Sequence, residues 1–426
     1  MKNLLNKAKQ KVDQLVNQNT GGLVAAGHAG GLGSHLERNL HDGSNSAAHG
    51  GGGCPNFDSR HLKNQHPLVP QPGHEAPGPG QLPPKVAKTT YHDRHKFFHP
   101  KGYEHDTLRD LGFTGVLDGR IIWTFGDTLM GTEERCMICA VDSTSIGTMD
   151  APMCSLDSAL QPNGEFVRNW IPCNEEEEND GGLVCYAFGG TNVIEISPNR
   201  GLVFYLKNHR PGGVQTLKGA GIATCYIGED NVPHAQRVGE KLWTEQEPCW
   251  GDVGAVYNAQ DGYVYAYGHG PQRDSELISR TFLARAPAHQ ATDVKAYEYW
   301  KNKERIWTRR RQGNGANDMD TVSHDDAIFG WYDMNQSVPF WSNYYNIWMF
   351  LHSTGWPVSE VQCKTAERLE GPWFDHGTVA TTQPEGHGEG MRYCVTAHPE
   401  FDPSGKMVFV TWTRNNVIWG VTIEWE

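Results

Sequence analysis

The chain has 426 residues with 49 Gly, 14 Trp, 15 Tyr and 15 Phe and a charged fraction of 20%, long enough for a sizeable core and glycine-punctuated in the manner of an all-β protein. Residues 1–105 hold 12 Lys/Arg against 7 Asp/Glu, and residues 106–426 hold 25 against 43. An acidic body without a basic stripe argues against nucleic acid as a partner, because that affinity comes largely from neutralising phosphates, and no apolar run reaches the roughly 18 residues of a transmembrane segment.

Residues 1–18 place Leu4, Leu5, Ala8, Val12, Leu15 and Val16 at helical spacing between Lys2, Lys7, Lys9 and Lys11, which predicts a short amphipathic basic helix. Such a helix either makes a weak membrane or protein contact or packs on the body. The stretch lacks the apolar core of a secretory signal, and the ten cysteines are spread without framework spacing, so free thiols and a cytoplasmic, soluble protein are expected. Residues 19–89 are rich in Gly, His and Pro and are expected to form a largely disordered arm. His92, His95 and His99 are spaced to hold a metal only if a fourth ligand folds in, and solvent histidines are the simpler expectation. Cys136 and Cys139 lack a second pair.

From residue 90 onward one pattern recurs: a short apolar strand, a turn of the Asp-Gly or Pro-Asn/Ser-Gly kind, then an aromatic or β-branched strand. The copies are "RDLGFTGVLDGRIIWTFGDT" (109–128), "FGGTNVIEISPNRGLVFYLKN" (188–208), "WGDVGAVYNAQDGYVYAYGHG" (250–270), "YDMNQSVPFWSNYYNIWMFLHS" (332–353) and "YCVTAHPEFDPSGKMVFVTWTRN" (393–415). Five hairpins with chain between them for outer strands predict a single five-bladed β-propeller over 90–426, against a β-sandwich or two β domains. The fifth copy runs out of chain, so its outermost strand is expected from residues around 90–108. Asp110, Asn192, Asp252, Asn335 and His398 mark the start of the inner strands and are expected to ring the channel.

The "DLGF…DGRIIWTFGDT" segment, "ARAP", Tyr297–Trp300, "LEGPW" at 369–373 and "HPEFD" at 398–402 resemble a bacterial and fungal propeller family catalogued as a domain of unknown function. Some of its members are endo-D-arabinanases, and it is distantly similar to five-bladed glycosidases of arabinan and fructan. The resemblance implies a glycoside hydrolase-like enzyme. It also implies that a His near the channel axis, here His398, coordinates an ion such as calcium or holds the catalytic carboxylates; no other cofactor is expected.

Glycoside hydrolysis needs two carboxyls flanking one bond, and the ring offers Asp110 and Asp252 first. Asp127 follows, its alternative being to fix a turn; Glu195 lies in an apolar run and is expected to face a neighbouring blade. Asn192, Asn335, Gln336 and His398 have donors and acceptors for hydroxyl recognition, and Trp331, Trp341, Tyr344 and Tyr345 have flat faces for a sugar ring, though most of these aromatics are expected in the core. The "EEEEND" run (175–180) reads as a solvated acidic loop and "RRR" (309–311) as an isolated basic cluster. The leading function is a glycosidase acting on a carbohydrate or small hydroxylated metabolite. The alternatives are an acid–base cyclase or isomerase on the same fold, and a non-catalytic sugar-binding or protein-interaction propeller.

Overall fold

The computed structural model describes residues 54–57, 70–76, 78–131, 136–271, 277, 280–315, 319–330, 336–353, 360–384, 390 and 392–426. The helix expected at 1–18, most of the arm, Trp331 and Asn335 lie outside the described residues. What is described is all-β, with five sheets of four to seven strands, a two-stranded ribbon and one short α-helix.

Sheet I runs from Thr107–Leu117 through Arg120–Gly131, Ser143–Gly147 and Cys154–Leu156 to Lys96–Phe98 and Glu104–His105. Sheet II is built on Ile194–Ser197, Arg200–His209, Thr216–Ile227 and Pro233–Arg237, with Tyr186–Gly190 pairing beside Arg200–His209. Sheet III contains Cys249–Asn258, Tyr263–His269, Arg280–Pro287, Glu298–Lys301 and Ile306–Thr308. Sheet IV contains Phe340–Ser342, Ile347–Ser353, Glu360–Ala366 and Phe374–Thr381. Sheet V contains Arg392–His398, Met407–Arg414 and Val417–Trp425 and is completed by Val86–His92. The recurring hairpins are therefore the first two strands of each sheet. Their turns carry the positive φ that a tight reversal requires, at Asp118 (49°), Asn199 (53°), Gly262 (73°), Asn346 (53°) and Gly405 (73°).

Five apolar layers join successive sheets into a β-propeller arrangement. Leu117 and Ile122 of sheet I pack on Phe188 and Val203 of sheet II. Phe204 and Trp243 meet Trp250 and Phe282 of sheet III, and Tyr267 and Leu283 meet Trp348 and Phe350 of sheet IV. Met349 and Leu351 meet Val410 and Val421 of sheet V, and Phe409 and Ile418 return to Phe97 and Trp123 of sheet I. Each fully buried large side chain contributes about 1.5–3 kcal/mol, so the ring is held by its interfaces as much as by its ladders.

The closing strand begins at Val86, so only the start of the segment expected to close the ring does so. Residues 96–105 instead form the outer edge of sheet I, with Lys96–Phe98 running parallel to Cys154–Leu156. This placement buries two of the histidines expected in solvent. The His95 Nε2 lies 2.9 Å from Ser155 Oγ and His99 Nε2 lies 2.8 Å from the Gly164 carbonyl; burial, with Arg109 beside it, pulls His95 down to about 3. The acidic run is not a loop either: Glu175–Asn179 is a helix with an Asn174–Glu177 capping box, and Glu177 ion-pairs with Arg237 and, at 2.5 Å, Lys207. Nor is the basic cluster isolated, since Arg310 meets Asp320 at 3.0 Å and Arg311 meets Glu247.

Candidate functional site

The inner strands of sheets I, III and V all lose register near their first residues, between Arg109 and Phe113, Cys249 and Gly254, and Tyr393 and Thr396. Bulges re-aim side chains at a rim. Here they require positive φ at Leu111 (66°), Cys394 (54°) and Gly251 (87°). Carbonyls released from the ladders accept from hydroxyls of the neighbouring sheet: Thr413 Oγ1 donates to Leu111 O (3.2 Å), Thr411 Oγ1 to Gly112 O (3.4 Å) and Thr191 Oγ1 to Gly251 O (3.1 Å). The distortions are thus satisfied across the sheet interfaces. We call the end of the channel where the inner strands begin the front mouth.

Asp110 stands at the first bulge. Tyr393 of sheet V donates its hydroxyl to Asp110 Oδ2 at 3.0 Å. Oδ1 is buried, has no side-chain partner among the described residues and faces Gly126, where a Cβ would lie 2.4 Å away. Burial, and then the neighbouring Asp127 carboxyl, push Asp110 up to about 8. Asp127 is also raised by burial, opposed by Arg210, whose two terminal nitrogens sit 3.5 Å from Asp127 Oδ1. The Asp127 carboxylate therefore faces a cation rather than fixing a turn.

Asp252, at the bulge of sheet III, is buried and holds two side-chain partners. Gln336 donates its amide to Oδ1 at 2.8 Å, and His269 Nδ1 lies 2.7 Å from Oδ2. Burial works against charge on His269, yet Cys249 and Asp252 hold its pKa well above the ordinary range. The two candidate carboxyls share an environment: the charges of Asp110 and Asp252 both act on the buried Cys394 thiol, which burial first and then these two push upward.

The other expected ring members are not level with this pair. Asn192 is saturated by the sheet III backbone, donating to Ala255 O (2.8 Å) and accepting from Ala255 N (3.0 Å). His398 is fully buried at the end of its strand, with its ring nitrogens 2.6 Å from Thr114 Oγ1 and 2.7 Å from Thr411 Oγ1. It packs against Trp123 and Phe409 and has no atom left for an ion or a hydroxyl. Gln336 serves Asp252 directly. Glu195 Oε1 accepts from Asp118 N and Asn199 N, both at 2.8 Å, bridging sheets I and II. Tyr344 and Tyr345 are core residues that bind the chain's edges, Tyr344 donating to Glu426 O at 2.6 Å and Tyr345 accepting from Lys85 N at 3.3 Å. Among the described residues no group of three or more His, Cys, Asp or Glu could hold a metal ion, and no helix is long and apolar enough to cross a membrane.

Three participants were missed: Tyr393, His269 and Arg210. Tyr393 heads the fifth hairpin, and aligning that hairpin on its Tyr-Cys rather than its His would have found it. His269 ends the "YGHG" of the third hairpin. Arg210 follows a strand in "NHRPGG", where no local signal singles it out.

The sheets and their interfaces define an all-β protein of β-propeller arrangement. The family model described as a domain of unknown function (DUF5005) matches residues 113–419, and the chain belongs to that family. No curated protein matches. A solved structure from Bacteroides ovatus, described only provisionally as a hydrolase, shares the fold at 16% identity, covering 74% of this chain and 85% of its own, with a TM-score of 0.50. A family 117 glycoside hydrolase of Zobellia galactanivorans matches at 9% identity over 79% of this chain and 90% of its own, with a TM-score of 0.41. An endo-arabinase of Bacteroides thetaiotaomicron matches at 11% over 74% and 93%, with a TM-score of 0.35. Similarity at those last two scores does not bear on function.

Proposed function

We propose that each of the five sheets is one blade of a five-bladed propeller and that its front mouth is the active site of a glycosidase-like hydrolase. Asp110 is the general acid and Asp252 the base or nucleophile. The observation that supports this reading is the opposite treatment of the two carboxyls. Asp110 is desolvated beside a second acid and holds a proton at neutral pH, whereas Asp252 accepts from the Gln336 amide and stands 2.7 Å from the His269 imidazole. The substrate in this reading is a neutral furanoside or pyranoside, and the location is cytoplasmic, which fractionation checks.

The test is turnover of a panel of aryl furanosides and pyranosides by Asp110→Asn and Asp252→Asn. Each substitution lowers kcat roughly 10²–10⁴-fold while the melting temperature stays close to that of the native protein. Full activity in both variants would show the pair to be wrong.

A second reading has one observation in its favour. Both oxygens of Asp252 are engaged by protein groups, whereas Asp110 and Asp127 lie side by side, which suits proton shuttling in the cyclisation or isomerisation of a small metabolite. Under that reading Asp127→Asn abolishes activity and Asp252→Asn chiefly destabilises the fold.

A further inference from the structure

The channel has a second mouth, where the inner strands end. It opens into a cavity of about 720 Å³ lined by the ends of the inner strands of all five sheets and by Pro70, Gln71, Pro72 and His74 of the arm. None of the candidate acid–base residues borders it.

Its walls are aromatic on one side, from Tyr257, Phe340, Trp341 and Trp348, with the last two rings meeting edge-on at 5.4 Å. Several polar groups on the lining are not consumed by the fold. Tyr257 Oη and the side chains of His74 and Gln260 have no partner among the described residues, and Glu195 uses only Oε1. The Trp341 indole N–H is buried without a partner among the described residues, so Trp341 offers the cavity its ring face and not its N–H.

This chemistry discriminates between ligands. No Lys or Arg lines the cavity, while Asp118, Glu195 and Glu400 do, so an anion would find no cation on the lining to pair with. An organic cation would suit the aromatic rings and the acids, but its ammonium head accepts nothing from the Tyr257 phenol. A neutral polyol can both accept and donate, and its C–H faces stack on indole rings. The volume falls in the usual range for a small-molecule site.

We infer that the rear mouth is a second binding site, for a neutral saccharide of one or two rings, separate from the acid–base centre. The arm makes its outer wall. It is anchored by Ala76 N on Asn343 O (2.9 Å) and Gly80 N on Tyr344 O (2.8 Å). At Gly80 the chain lies so close to the sheet that a Cβ would fall 2.4 Å from Tyr344 Cε1 and 2.6 Å from Tyr345 Cε1. A side chain at this position lifts the arm without altering a cavity residue.

The experiment is a titration of the full chain, labelled with ¹⁵N-tryptophan, with cellobiose, sucrose and maltose; glucuronate and choline serve as charged controls. The Trp341 indole cross-peak, identified by its absence in Trp341→Phe, shifts saturably with at least one neutral disaccharide. The shift persists with the same Kd in Asp110→Asn, which distinguishes this site from the proposed active site. Tyr257→Phe, which removes one hydroxyl and no packing, weakens binding about fivefold, and Gly80→Leu weakens it through the arm. The inference is overturned if no neutral disaccharide moves the Trp341 peak, if choline or glucuronate moves it instead, or if Tyr257→Phe and Gly80→Leu both leave the Kd unchanged.

Discussion

The two mouths of the channel are made by opposite ends of the same inner strands, yet they differ in kind. At the front the strands are bulged, Asp127 faces Arg210 beside Asp110, and Asp252 faces His269. At the rear the same strands run in register and present Thr114, Ala255 and Tyr257 beside an aromatic wall, with no cation on the lining. Residue type alone does not explain the contrast. Backbone irregularity lets an inner strand turn a carboxyl into a funnel, and hydroxyls from the next sheet satisfy the carbonyls it frees.

If the front mouth is the reactive end, substitutions there separate into graded effects that leave the rear mouth untouched. The largest is His269→Leu, which strands the buried Asp252 carboxylate and lowers stability by roughly 3–5 kcal/mol, measurable by urea unfolding. Gly126→Ala comes next: its methyl collides with Asp110 Oδ1 and Leu111, and displacing a reacting group by about 1 Å costs on the order of 10²-fold in kcat. The Trp341 response to saccharide stays as it was. The pH–rate profile supplies a third effect. Because Asp110 works protonated and titrates at about 8, kcat/KM falls tenfold per pH unit above that value, and a limb beginning near 4 instead would remove Asp110 as the acid.

Thr413→Val strips one hydroxyl from the Leu111 carbonyl and costs about 1 kcal/mol, with a smaller loss of activity than Gly126→Ala. An effect confined to the slope of stability against pH concerns a carboxyl outside both mouths. Asp142 is buried and pushed up to about 8 by that burial, despite accepting from Trp170 N and Ile171 N. Folded Asp142 therefore keeps a proton that the unfolded chain releases near pH 4, and the stability this lends is lost as pH rises toward 8. Between pH 6.5 and 8 the unfolding free energy falls less steeply in Asp142→Asn than in the native protein, by up to about 1.4 kcal/mol per pH unit. The window is chosen above 6.5 because His95, held near 3, destabilises the fold only below it.

The hairpins were legible because their turns are chemical: Asp118-Gly119, Pro198-Asn199 and Ser404-Gly405 can reverse a strand where few other pairs can, and each falls where the pattern placed it. Asp110 and Asp252 were singled out for the same reason, being offset similarly from those turns, and both stand at bulges of their inner strands. The level of the ring was not. A bulge shifts register by a residue without any mark in composition, so aligning the fifth copy on His398 led to the far end of the strand, and Asn192 proved to be a staple between sheets. The outer edge of sheet I was hidden for another reason. Its strands at 96–98 and 154–156 pair across more than fifty residues of chain, a contact no local period reports.

The pairing of Val86–His92 with Val417–Trp425 also has a bearing on synthesis. Sheets I to IV can assemble as each leaves the ribosome, but the partner for Val86–His92 is translated after all of them. Until then the strand is an unpaired edge, open to any other nascent chain that offers a complementary one. The seam that makes the finished ring stable leaves its beginning exposed until the fifth sheet has been made.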